Sequence, residues 1–155
     1  MSDEVPVKSS SPTDYHGRWY WEGNVQAAAC AYLDQRGWTV HSQADTAKKA
    51  PGKDIEAKID NATLWVTVKG YPAGTERTNP RSQSRLWFSD AMFDVIRYRG
   101  DSEEIEIAVA LPDFDSYRKL AEQIAWFQSV SRFWYLWVSE SGVHCQHEPG
   151  ETHPE

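Results

Sequence analysis

Residues 63–72 read TLWVTVKGYP, and the reading of this run decides the reading of the chain. Leu64, Val66 and Val68 make it an apolar strand, yet Lys69 sits at its end, two places after Thr67, and Gly70 stops it. In a strand, residues two apart share a face. Thr67 and Lys69 therefore point one way, and Val66 and Val68 point the other way, into packing.

Upstream, residues 54–59 form a second strand candidate. Asp60-Asn61 between the two runs suits a tight hairpin turn. The hairpin brings Asp54, at the start of one strand, beside Lys69, at the end of the other. One face then carries Asp54, Thr67 and Lys69 together. Further upstream, Trp21, Val25, Ala28, Ala29, Tyr32 and Leu33 recur at three- and four-residue spacing. That stripe predicts a helix over 19–36, which Gly37 ends. Residues 38–42 alternate as a strand, and a polar loop with Pro51-Gly52 follows.

Downstream, the loop 70–81 holds Gly, Pro and Asn. Leu86, Phe88, Ala91, Met92, Val95 and Ile96 then keep a helical period over 82–98. Residues 105–111 read as a buried strand ended by Pro112-Asp113. Residues 116–127 read as a helix with Asp115 as N-cap, and 133–138 as the last strand. Gly142 begins a tail. No internal repeat is present. The predicted order is αβββαβαβ: an α/β fold with a mixed central sheet flanked by helices. The expected organisation is a flexible arm over 1–15, one domain over 16–143 and a flexible tail over 144–155.

The bulk numbers narrow the function. A chain of 155 residues is long enough to bury a core. Its formal net charge of -7 excludes a generic polyanion binder, so any nucleic-acid contact needs a local basic patch. No apolar run approaches the ~20 residues that cross a bilayer. The first residues lack a signal-peptide layout, so the expectation is a cytoplasmic protein without a membrane partner. Cys30 and Cys145 are expected as free thiols. His144, Cys145 and His147 match no closed zinc spacing. Ser89 and His41 lack a nucleophile-elbow motif, and no phosphate-cradling glycine loop is present.

Gly52-Lys53-Asp54, a hairpin, an apolar strand ending Thr67-Val68-Lys69-Gly70, and a helix opening near Gln83 follow a helix that carries Glu22. In that order these features resemble the PD-(D/E)xK nucleases, the restriction-endonuclease-like superfamily, and especially its branches related to Holliday-junction resolvases and Mrr-type enzymes. The resemblance spans about residues 19–138. It implies a metal-dependent DNA endonuclease acting in restriction, repair or phage defence. Asp54 would bind Mg2+ or Mn2+, and Lys69 would orient the attacking water. Glu22 matches the helix glutamate beside the metal, Gln83 the glutamine of the next helix, and the Val68 carbonyl a further metal ligand. A hard cation polarises phosphate and lowers the pKa of bound water, and magnesium takes oxygen ligands. Nucleic acid is the implied partner, with a homodimer or a larger complex as the family's habit.

One departure stands out. Where the family has Asp or Glu, this chain has Thr67. Three readings stay open: catalysis is lost and binding retained by a subunit of nuclease fold, Glu22 supplies the carboxylate, or Glu56 does so, two residues after Asp54. Arg77, Arg81 and Arg85 concentrate positive charge where a phosphate backbone would pass. Tyr71 is placed to stack on a base. A lysine snorkelling from a strand end and a solvated basic loop fit the same residues without chemistry. Trp19, Trp21, Trp87, Trp126, Trp134 and Trp137 fall on faces shared with Val, Leu or Phe, and core packing accounts for most. The odd spacing of Trp134 and Trp137 puts them on opposite strand faces.

Overall fold

The computed structural model of the protein describes residues 15–41, 53–74 and 79–150. The expected N-terminal arm, except for Tyr15, lies outside those residues, as do the Pro51-Gly52 turn, Arg77 and the last part of the expected tail. Ten elements follow one another among the described residues: α1 (Glu22–Gln35), β1 (Thr39–His41), β2 (Ile55–Ile59), β3 (Ala62–Val68), α2 (Pro80–Asp101), β4 (Glu106–Pro112), α3 (Asp115–Gln123), α4 (Ala125–Ser131), β5 (Phe133–Ser139) and β6 (Gly142–Gln146).

The six strands make one mixed sheet in the order β1-β2-β3-β4-β5-β6. β1, β2 and β3 form the antiparallel meander read from the sequence, closed by the Asp60-Asn61 turn with Asp60 at φ 49°. Asp tolerates that left-handed conformation better than most residues. β4 and β5 then add in parallel, each reached through helices, and β6 returns antiparallel along β5.

Two packing layers explain the alternation within the strands. Ile107, Val109 and Leu111 of β4 face α2 and α3, with Phe88, Val95, Tyr98, Tyr117, Tyr135 and Trp137. Ala108 and Ala110 face the other way, with Val66, Val68 and the α1 stripe of Val25, Ala29 and Leu33. One layer is rich in aromatic rings and the other is aliphatic. α1 ends in a Schellman motif: Trp38 N–H donates to Leu33 O at 3.1 Å and Gly37 N–H to Asp34 O at 3.1 Å. Gly37 adopts φ 96°, the left-handed geometry this cap requires.

Four expectations need correction. The predicted 116–127 helix is two helices, because Ile124 leaves the helical basin at φ -118°, ψ 34°, with no Gly or Pro to announce the break. Asp115 is the first helical residue and Phe114 holds the cap position, without a side-chain hydrogen bond. The tail read from Gly142 begins instead with β6, where Gln146 Oε1 accepts from the indole of Trp137 at 2.8 Å. The order is therefore αβββαβααββ. Finally, core packing does not account for Trp126, which is 65% exposed beside Phe93, Ile96 and Val130 on the outer helical face. Trp134 and Trp137 do lie on opposite faces: Trp137 is buried against α3, and Trp134 meets Trp38 edge-on at 6.2 Å. Among the described residues no helix is long and apolar enough to cross a membrane.

Candidate functional site

Where β3 leaves the sheet, the chain is held on three sides. Lys69 N–H still docks on β4, donating to Ala110 O at 3.1 Å. Tyr71 N–H donates to Tyr20 O at 3.0 Å, and the Tyr117 hydroxyl to Gly70 O at 2.7 Å. The Tyr15 hydroxyl donates to Tyr71 O at 2.6 Å. Gly70 is required by contact. A Cβ there would stand 2.5 Å from Glu22 N and 2.8 Å from Tyr20 O. The absence of a side chain lets the start of α1 lie directly on the end of β3.

This close approach brings Glu22 beside Lys69. Burial pushes the Glu22 carboxyl above its ordinary value of 4.5, and the charge of Asp54 pushes it further. The Lys69 ammonium and the Gly70 N–H pull it back. Burial also pushes the hydroxyl of neighbouring Tyr15 up to about 12, with Tyr20 and Glu22 adding to the effect. Residues from the start of α1, the approach to β2 and the exit of β3 thus share one electrostatic environment.

Asp54 is fixed by the end of its strand. β2 begins at Ile55, opposite Val66, so the N–H of Val68 lies beyond the last paired residue. Asp54 Oδ2 accepts that N–H at 2.7 Å. Its main-chain oxygen accepts from Gln26 Nε2 at 3.2 Å, which ties it to α1.

Thr67 does not join this group. It is fully buried, and its hydroxyl donates to Asp94 Oδ2 at 2.7 Å, on the α2 side of the sheet. Asp94 Oδ1 accepts from Arg97 at 2.9 Å. Tyr98 lies close by; burial and the charges of Asp94 and Asp54 push its hydroxyl well above the usual range. Asp94 is one residue that sequence reasoning missed. It occupies the core-facing row Ala91, Asp94, Val95 and Tyr98, and an acid in such a row is the signal.

The remaining expected residues separate. Glu56 pairs with Trp65 across the hairpin, and its Oε2 accepts from the indole at 3.2 Å. Gln83 is half-buried in the first turn of α2, where its N–H donates to Asn79 O at 3.0 Å. Arg81 and Arg85 are exposed one turn apart on the same helix. Tyr71 is fully buried, 4.2 Å from the Phe114 ring, so it offers no face to a base.

No protein-family model matches the chain, and no curated protein or solved structure matches it significantly. What the site can do must come from its own chemistry.

Among the described residues no three His, Cys, Asp or Glu side chains stand close enough to hold a metal ion. Glu22 and Asp54 form a pair of mutually repelling carboxylates, and magnesium asks for only one or two carboxylates plus water. As oxygen donors these two fit such a cation. Thr67 is committed to Asp94, and Glu56 accepts from Trp65 through Oε2. Cys145 Sγ meets His147 Nε2 at 3.3 Å.

Proposed function

We propose that the Glu22–Asp54–Lys69 cluster is the site of a divalent-cation-dependent DNA endonuclease with a restriction-endonuclease-like arrangement. One observation carries the reading: the Glu22 carboxyl, at the start of α1, feels both the charge of Asp54 and that of Lys69. The resemblance to PD-(D/E)xK nucleases singles out the same three residues from their order in the sequence.

Glu22 and Asp54 would hold Mg2+ or Mn2+, which polarises phosphate and acidifies its bound water. Asp54 is pre-oriented by the Val68 N–H, so its carboxylate costs little to organise. Lys69, partly buried at the strand end, stabilises negative charge that develops on phosphate. Arg81 and Arg85 offer an exposed cationic edge for the phosphodiester backbone.

The test is nicking of supercoiled plasmid with Mg2+ or Mn2+, with chelator as the control. Cleavage is expected from the wild type and is lost in Asp54→Ala and Lys69→Ala. Undiminished cleavage by both variants overturns the proposal.

A second reading rests on Thr67. Its complete burial and its bond to Asp94 leave the position where the family carries an acid without a group for the site. On this reading the protein keeps the fold and binds nucleic acid or a protein partner without cutting. Retarded DNA mobility without cleavage in either cation supports it, and cation-dependent cleavage by the wild type ends it.

A further inference from the structure

Gln26 lies one helical turn after Glu22 on α1 and is 4% exposed. Its Nε2 donates to the Asp54 main-chain oxygen at 3.2 Å, while its Oε1 is buried and has no hydrogen-bond partner. The orientation of the amide follows from chemistry. Only the NH2 end can donate to a carbonyl, so the acceptor end is the one left over. A buried acceptor without a donor is costly, and buried orphans of this kind need a reason. A leucine or methionine here would pack against Val25 and Ala29 without that cost.

The surroundings narrow what would satisfy it. The neighbouring groups of the site, the Glu22 and Asp54 carboxylates, are acceptors when ionised, and they repel each other. The Val68 and Gly70 N–H groups and Lys69 meet only part of what two carboxylates can accept, and a cation with the water it carries would supply further donors. Gln26 is also the residue that links the two carboxylates mechanically. Glu22 is on its own helix, and Asp54 is tied to it through the main chain.

We propose that Gln26 is the positioning residue of the Glu22–Asp54 site: its NH2 ties the Asp54 main chain to α1 one turn after Glu22, and its Oε1 accepts from water bound to a divalent cation. This inference rests on the cation-dependent reading above and deepens it. Sequence reasoning did not single out Gln26, because a glutamine among Val25, Ala28 and Ala29 differs from them only in polarity.

The test uses the full chain and Mn2+ as probe. Isothermal titration of wild type and Gln26→Met compares affinity, and thermal melting in chelator compares stability. Methionine keeps the length and removes both the donor and the acceptor. The expected result is Mn2+ affinity reduced by about ten-fold or more, the usual effect of removing a residue that orients metal ligands. The melting temperature in chelator changes little, because removal of the orphaned oxygen offsets loss of the bond to the Asp54 main chain. A purely structural glutamine would show the reverse: lower melting temperature and unchanged affinity. A second measurement needs no variant. The side-chain amide NMR signals of Gln26 in the wild type are expected to broaden at substoichiometric Mn2+. Mn2+ binding that leaves them sharp overturns the role of Gln26 alone. No Mn2+ or Mg2+ binding by the wild type overturns the cation-dependent reading and this inference with it.

Discussion

Thr67 Oγ1 and Asp94 Oδ2 stand 2.7 Å apart, joining the buried face of β3 to the middle of α2. The hydroxyl therefore serves the helix and not the cluster at Glu22. Thr67→Val keeps the side-chain shape and removes the donor, leaving Asp94 short of a partner. The expected cost is about 1–3 kcal/mol, read from the urea midpoint, with cation-dependent cleavage unchanged. Loss of cleavage in a folded Thr67→Val protein would put the hydroxyl back into the site.

Placing an acid at position 67 has a different consequence. Thr67→Glu places a second carboxylate against Asp94 in a fully buried position. It is expected to destabilise the protein by about 3–5 kcal/mol, the range for an uncompensated buried charge. Adding Asp94→Asn recovers part of that loss, because contacting residues do not behave additively. Equal urea midpoints for Thr67→Glu and the wild type would contradict the geometry.

Gly70→Ala tests the seam between β3 and α1. Its methyl would meet backbone atoms, Glu22 N at 2.5 Å and Tyr20 O at 2.8 Å, which cannot turn aside as a side chain can. An overpacking cost of about 1–3 kcal/mol is expected. The separation of Glu22 from Lys69 must also grow. On the nuclease reading, misplacement of this size lowers cleavage by about 10²-fold, measured by plasmid nicking at a temperature where the variant is folded.

The meander around Asp54 and Lys69 was legible because local signals set it: an apolar strand, a two-residue turn and a second strand. The register that sets Ile55 opposite Val66 followed from that turn. The side-chain directions were less legible. Alternation put Asp54, Thr67 and Lys69 on one face, but Asp54 turns to cap the Val68 N–H where its strand ends. Strand ends escape the alternation rule, since a side chain there can replace a missing main-chain partner. Asp94 and Gln26 were missed for a related reason. Each sits in a core-facing helical row, and its partner comes from a segment distant in sequence. The break at Ile124 carries no turn residue, and β6 carries no apolar run of the usual strength; β6 is held by pairing with β5.

Arg99 governs a corner far from the cluster. Its guanidinium donates to Ser131 O at 3.1 Å, Ser102 O at 3.3 Å, Glu103 O at 3.1 Å, Ile105 O at 2.8 Å and Arg132 O at 3.1 Å. It therefore ties the end of α2 to the turn between α4 and β5, where Arg132 adopts a left-handed φ of 57°. Lysine cannot reproduce a planar fork of donors. Arg99→Ala is expected to cost about 3 kcal/mol, and Arg99→Lys to recover less than half of it. Denaturant midpoints check both, and full recovery by lysine would show that charge alone matters there.

Glu22 gives the pH dependence of the cluster a definite sign. Burial and then Asp54 raise its carboxyl above 4.5 in the folded protein. A raised folded pKa means that the contribution of Glu22 is fully present below its unfolded pKa and is lost as pH rises through the folded one. In chelator, Glu22→Gln should therefore be more stable than wild type at neutral pH, since it removes the charge that Asp54 opposes. The difference should close as pH falls through the raised value toward 4.5, where the wild-type carboxyl also becomes neutral. Urea midpoints measured from about pH 8 to about pH 4 follow the two curves together. Added Mg2+ should narrow the neutral-pH gap by favouring the ionised carboxylate. A Glu22→Gln protein less stable than wild type at neutral pH would mean that Lys69 and the Gly70 N–H outweigh burial and Asp54. The cluster would then be a satisfied ion pair with no need of a cation.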